Sequence, residues 1–243
     1  MPANEVAFSI ARHAAWAPGL TSPAAWTAWA TEPWPIAMGE EPKVAAMPAM
    51  LRRRAGFLGR MALEVAYGCA DGQADLPAVF CSRHGEVGRA IELLSDLARK
   101  EPLSPTAFGL AVHNASAGLF SIARADRANH VALAGGSATL EHAVIEACGM
   151  LADGAPAVLL VACDAPLPEL FSHFEDCDEQ PWAFAWTMTA AGANPLRLSW
   201  QGADAEEASR IPGGLDVLRF QLGAANQLVR HAGALRWTWS RDA

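Results

Sequence analysis

Charge is scarce in this chain. Asp, Glu, Lys and Arg make up 18% of its 243 residues, against 52% hydrophobic residues. That shortage excludes a disordered, solvated polypeptide and leaves ample material for a core. Basic charge is the scarcer sign: the net charge of −8 argues against a nucleic-acid partner. No apolar run is long enough to cross a membrane as a helix, so no membrane span is expected. The first residues carry Asn4 and Glu5 and no long apolar core, so no signal peptide is expected. The five cysteines (69, 81, 148, 163 and 177) are odd in number and form no Cys-x-x-Cys pair. This argues against a disulfide framework or a zinc site and for reduced thiols in a cytoplasmic protein. The seven histidines are scattered without a His-x-x-x-His pair. No phosphate loop, metal-ligand cluster or internal repeat is present, so neither cofactor nor metal is expected.

The stretch from His130 to Pro166 organises what remains. Val131 to Ala134 is a short apolar run that reads as a buried strand. Gly135-Gly136 permits a sharp turn. Ser137 then stands where a helix N-cap belongs, with Glu141 in the first turn. Leu140, Ala143, Val144, Ala147, Cys148 and Leu151 recur at helical spacing, and Gly154 and Pro156 end the helix. Val158 to Val161 reads as a second buried strand. Ser137 thus lies at a strand-to-helix elbow, where it serves either as a cap or as a nucleophile beside a helix N-terminus. A Gly-x-Ser-x-Gly elbow is excluded, because Thr139 stands where its second glycine belongs.

Other segments read less sharply. Glu5 to Trp16 suggests a first strand and Pro23 to Ala30 a short helix among prolines and tryptophans, a segment that either lines a groove or pins a loop. Arg52, Arg53 and Arg54 precede an amphipathic helix from Ala55 to Tyr67; they form either a solvated helix start or an anion contact. Leu76 to Cys81 reads as a strand ending near His84, a structural hydrogen bonder or a chemical group. Glu86 to Lys100 reads as an amphipathic helix with Val87, Ala90, Ile91, Leu94 and Leu97 on one face. Phe108 to Ala123 reads as a largely apolar helix whose His113 and Asn114 need partners, inside the fold or across a dimer interface. Glu175 to Glu179 suggests an exposed acidic loop. Trp182 to Ala190 and Pro195 to Trp200 suggest a hairpin around residues 191–194. Gly202 to Pro212 reads as a polar linker, Gly213 to His231 as a last helix, and Leu235 to Trp239 as a last strand. Low charge with nine tryptophans also predicts more apolar surface than a monomer shows.

Leu103-Ser104-Pro105-Thr106-Ala107-Phe108, then Val112-His113-Asn114-Ala115-Ser116-Ala117-Gly118, then the elbow and its helix to Gly154, resemble the N-terminal half of a β-ketoacyl synthase. The resemblance spans about residues 75 to 165 and rests on motif order. It implies an α/β chain with a half-length thiolase-like fold, a mixed central sheet covered by helices, over a single domain, residues 1–243. It places Ser137 at the position of the nucleophilic Cys. The His-Gly-Thr-Gly and Asn-x-x-Gly-Phe-Gly-Gly motifs of such synthases are absent from the sequence.

The order of these motifs and the triple arginine are similar to the short, ketosynthase-like chain-length factors of aryl-polyene clusters. That resemblance implies a non-catalytic subunit in a heterodimer with an active β-ketoacyl synthase, acting on chains carried by an acyl carrier protein. Its implied partner and tunnel residues are Thr106, Ala107, Phe108, Val112, His113 and Asn114. Arg52, Arg53 and Arg54 would contact the carrier protein or its phosphopantetheine phosphate. The competing reading is a serine acyltransferase or hydrolase using Ser137, with His142 or His113 as base.

Overall fold

The longest strand carries the architecture. In the computed structural model, which describes residues 4–204 and 209–241, β1 (Asn4–Trp16) lies inside the sheet and serves two neighbours. Its first part, Asn4 to Phe8, pairs antiparallel with β6 (Leu196–Gly202). Phe8 to Trp16 pairs antiparallel with β5 (Trp182–Ala190), with a register shift between Ile10 and Arg12. The expected hairpin of β5 with β6 is therefore not formed. Both strands exist, but residues 191–195 carry the chain over β1, a step of two strand spacings, about 10 Å, that five residues span easily.

The described residues form an eight-stranded mixed sheet in the order β3-β2-β4-β5-β1-β6-β8-β7. β2 (Ala78–Cys81) pairs in parallel with β3 (His130–Leu133) and β4 (Val158–Asp164). The remaining pairs are antiparallel, ending in a hairpin of β7 (Gln227–Ala232) and β8 (Leu235–Arg241). Residues Gln227 to His231, expected as the end of a last helix, are thus a strand. The helix α8 (Gly213–Leu222) stops at Gly223, and Gly233 at φ +62° turns the hairpin. Of the expected linker from Gly202 to Pro212, residues 205–208 lie outside the described residues.

Two apolar layers sandwich β2, β4 and β5, while β6, β7 and β8 bury one face only. Strand β4 shows why: Val158, Leu160 and Ala162 face one layer, Leu159, Val161 and Cys163 the other. On the first side pack α1 (Pro23–Thr31), α7 (Thr139–Ala152) and α8; on the second, α3 (Phe57–Ala70) and α6 (Ala115–Arg124). Strand β5 is asymmetric, with Trp182, Phe184, Trp186 and Met188 toward the first layer and only Ala183 and Ala185 toward the second. The small side lets α3 come close enough for Thr187 Oγ1 to donate to the Cys69 carbonyl at 3.2 Å. Seven of the nine tryptophans are buried, so they fill the core rather than the surface. The Trp/Pro segment is pinned down: Trp29 Nε1 donates to the Trp34 carbonyl (2.9 Å), and the Ile36 amide donates to Gln180 Oε1 (2.8 Å).

The helix α4 (Val87–Ala98) is the exception to this packing. Its sequence is strongly amphipathic, yet none of its residues is buried. The expected helix from Phe108 to Ala123 is also broken. Helix α5 (Pro105–Gly109), capped by Ser104, gives way to a turn before α6. In that turn His113 leaves the helical path to reach the end of β3, its Nε2 3.1 Å from the Leu133 carbonyl.

Candidate functional site

The C-terminal ends of the parallel strands β3, β2 and β4 meet at the elbow, where an open α/β sheet places its ligands. After β3, Gly136 takes φ +58° and a single 3₁₀ turn, Gly136–Ala138, precedes α7. That extra turn moves the helix start beyond Ser137, and the expected N-cap is not made. Thr139 does the local work: its Oγ1 accepts from the Gly135 amide (2.9 Å) and donates to the Gly136 carbonyl (2.7 Å). Among the described residues, no hydrogen bond reaches the Ser137 hydroxyl.

Among the described residues, no hydrogen bond joins Ser137 to either proposed base, although the His142 ring packs over Gly135 of the elbow. His142 is exposed and sets its ring edge-on to Trp237, centroids 5.3 Å apart. His113 is spent on Leu133 at one nitrogen and packs its other against Gly85, where a Cβ would lie 2.5 Å from Nδ1. The constellation that activates a serine is thus not assembled from these residues.

Glu141 and Arg230 meet there instead. Glu141 is fully buried in the first turn of α7, and Arg230 on β7 is 8% exposed. The guanidinium donates to the Glu141 carboxylate and, at 3.2 Å, to the Ser137 carbonyl. Trp239 Nε1 donates to the same carboxylate at 3.2 Å. Glu141 therefore does more than favour a helix N-terminus: it is one half of a buried ion pair.

A second polar cluster closes the neighbouring strand ends. Asp164 Oδ1 accepts from Ser82 Oγ and from the Arg83 amide, both at 2.8 Å, and Ser82 Oγ accepts from the Gly85 amide at 2.9 Å. Burial pushes the Asp164 carboxyl up to about 7, with the Arg83 amide and Ser82 hydrogen bonds holding it back. Arg83 pairs with Asp176 and lies 3.4 Å from Glu179. His84 stands 3.5 Å from Glu179 and is lowered by burial and by Arg83, a structural role. The acidic loop is only partly exposed as expected. Glu179 is buried and accepts the Leu167 amide, because its carboxylate tethers the chain after β4. Outside the elbow lies a cavity of about 350 Å³ lined by Arg83, Ser137, Asp176, Cys177, Arg230 and His231 among others.

The residues expected at a partner interface fall elsewhere, on the α4–α5–α6 side. Phe108 is 65% exposed; Thr106, Val112 and Asn114 are exposed; Ala107 and His113 are half-buried. Leu94, Leu97, Leu103 and Ile122 join them on the same stretch of chain, all exposed. Strand β3, which contacts α6, is an unpaired edge of the sheet. Arg52 turns inward, its Nη1 3.3 Å from the Val44 carbonyl, while Arg53 and Arg54 are exposed. Arg89, at the start of α4, donates to the Arg54 carbonyl at 2.7 Å, so the basic patch adjoins α4. The elbow was legible in sequence. Arg230 and Asp164 were not, because their side-chain partners lie 80 or more residues away.

A family model described as the N-terminal domain of β-ketoacyl synthases matches residues 26–240. Among solved structures, the chain is 26% identical to one chain of the complex of the ketosynthase ApeO with its chain length factor ApeC from Xenorhabdus doucetiae, with a TM-score of 0.85, covering 97% of this chain and 100% of the matched one. Two more distant likenesses bear on the fold alone. A β-ketoacyl synthase from Burkholderia phymatum STM815 is 14% identical at TM-score 0.58, covering 84% of this chain and 65% of that one. The ishigamide ketosynthase/chain length factor is 13% identical at TM-score 0.52, covering 75% of this chain and 58% of that one. No curated protein matches the chain. The half-length, thiolase-like α/β architecture expected from the motifs is the one observed.

Proposed function

The chain belongs to the β-ketoacyl synthase family, and from that premise we propose that it is a non-catalytic subunit of the chain-length-factor type. It acts as one ketosynthase N-terminal-half domain, pairs with an active β-ketoacyl synthase, and shapes that partner's acyl tunnel while a polyene or fatty-acyl chain grows on an acyl carrier protein in the cytoplasm. The observation that carries this reading is the uncovered apolar face. Six large apolar side chains between Leu94 and Ile122 are exposed, and α6, which carries Ile122, contacts the edge strand β3. Covering what remains open of each is worth about half of the roughly 1.5–3 kcal/mol of full burial, and together they reach the scale of the roughly 4–15 kcal/mol that association costs. A monomer gains nothing from leaving them in water.

Phe108 is the bulkiest of them and the best placed to fill space in a partner. Its volume, with Ala107 beside it, would set how far an acyl chain extends. Thr106, Val112, His113 and Asn114 would frame that contact. Arg53 and Arg54, which no carboxylate pairs among the described residues, would meet an acidic carrier protein or its phosphate, with Arg52 holding the segment in place. The unassembled serine site speaks against the hydrolase reading.

The test is an elongation assay on the complex of this chain with an active β-ketoacyl synthase that co-purifies with it. Replacing the partner's nucleophilic cysteine should abolish product, whereas Ser137→Ala should leave it. Product that depends on Ser137 and survives loss of the partner's cysteine would reject the proposal.

A further inference from the structure

The space around Ser137 divides in two, and Arg230 borders both parts. Toward the sheet, a cavity of about 20 Å³ is walled by Cys81, Leu140, Ala162, Trp182, Gly214 and Arg230. That is room for about one water molecule. Toward solvent, the larger cavity is lined by Arg83, Asp176, Arg230 and His231. An acyl chain placed there would desolvate charged groups without replacing their hydrogen bonds.

The inner wall is built for a large side chain. A Cβ at Gly213 would lie 2.0 Å from Arg230 Nη2, and one at Gly214 would lie 2.0 Å from the Trp182 ring. Two glycines at the start of α8 thus let a guanidinium and an indole press against the helix. Glu141 holds the guanidinium from the other side, and the Ser137 carbonyl accepts from it.

We propose that Arg230 is an internal plug: it fills the place an acyl group would need at this elbow, so the elbow is closed by volume whichever residue stands at position 137. This rests on the non-catalytic role proposed above and gives it a cause other than the missing thiol. The two causes separate in Ser137→Cys. If the hydroxyl alone makes the elbow inert, the thiol variant acylates. If Arg230 closes it, the variant acylates only slowly until the plug is removed.

The reaction to follow is thioester exchange. The thiolate introduced at position 137 attacks the carbonyl of octanoyl-coenzyme A, the new C–S bond replaces the old one, and the coenzyme leaves as its thiol with the proton the attacking thiol gave up. No further reactant is needed. Intact and peptide mass spectrometry of the full chain read the adduct. Ser137→Cys should acylate slowly. Ser137→Cys combined with Arg230→Met and Glu141→Gln, which removes both members of the buried ion pair, should acylate at least about tenfold faster. Removing a nearby cation by itself raises a thiol's pKa and slows attack, so a faster reaction reports space.

Buried Cys69 and Cys163, which do not line the cavity, report on the fold, since they take up iodoacetamide only if it opens. If they do, Ser137→Cys with Arg230→Lys carries the test: it keeps a cation for Glu141, frees volume, and should also acylate faster than Ser137→Cys alone. Equal acylation with and without Arg230, or a folded Arg230 variant that stays inert, would overturn the plug. Co-purification of the unmodified chain with a ketosynthase is scored separately, so failure of the subunit reading is distinguishable from failure of this one.

Discussion

Ser137 is the residue on which the functional readings divide. Its hydroxyl has neither His113 nor His142 for a base, and its backbone carbonyl is the part in use. Ser137→Ala should therefore leave product formation by the complex within about twofold of the parent, and a loss beyond about a hundredfold would contradict the subunit reading. Asp164 is a second informative position. Burial raises its carboxyl to about 7 in the folded chain, above the ordinary carboxylate value of 3.8. The stability this brings is complete below the ordinary value and is lost as pH rises through about 7. Asp164→Asn keeps an oxygen for Ser82 and the Arg83 amide and cannot ionise. It should raise the melting temperature relative to the parent at pH 8 and lose most of that advantage at pH 5. An equal difference at both pH values would rule out the buried carboxylate as the cause. Gly214 gives a steric test. Its missing Cβ faces the ring of buried Trp182, so Gly214→Ala should cost about 1–3 kcal/mol in denaturant unfolding. An unchanged midpoint would show that the ring has room to move.

At the scale of elements, what the sequence made legible follows from where the stabilising contacts lie. Strand β1, helices α1, α3 and α4, and the β3–elbow–α7–β4 unit each carry their own period, and each is present within a few residues of its expected bounds. Pairing was not legible. β5 and β6 alternate like hairpin strands, yet both are held by β1, roughly 180 residues earlier, and no local signal announces that. Gly213 to His231 mixes apolar residues at helical spacing with a real break at Gly223. The turn at Gly233, flanked by the paired Ala232 and Leu235, was the signal for a terminal hairpin. Because that hairpin was missed, Arg230 could not be placed at the elbow. Helix α4 shows the reverse case, since its amphipathic pattern was plain but none of its residues is fully buried and Leu94 and Leu97 are exposed. Leu94→Glu with Leu97→Glu should leave the melting temperature of the isolated chain nearly unchanged and abolish co-purification with the ketosynthase. Exposed Phe108 gives the matching test in α5. Phe108→Ala should cost under about 0.5 kcal/mol in the free chain, as surface changes do. In the complex it should lengthen the products seen by mass spectrometry, and an unchanged length distribution would reject the steric role.

For the whole molecule, one sheet, buried on both faces at β2, β4 and β5, accounts for the core, and the α4–α6 side carries Leu94, Leu97, Leu103, Phe108, Val112 and Ile122 in the open. The proposed partner would cover that side, and the plugged elbow would leave chemistry to the partner. Mass action then couples stability to assembly: a ketosynthase that binds only the folded chain should raise its melting temperature in proportion to the logarithm of the partner's concentration. Light scattering after size exclusion of the chain expressed alone, and co-expressed with a β-ketoacyl synthase from the same source, tests the central claim most directly. The account predicts self-association or poor solubility alone and a defined heteromeric complex with the ketosynthase. A stable, soluble monomer that elutes apart from the ketosynthase would contradict it.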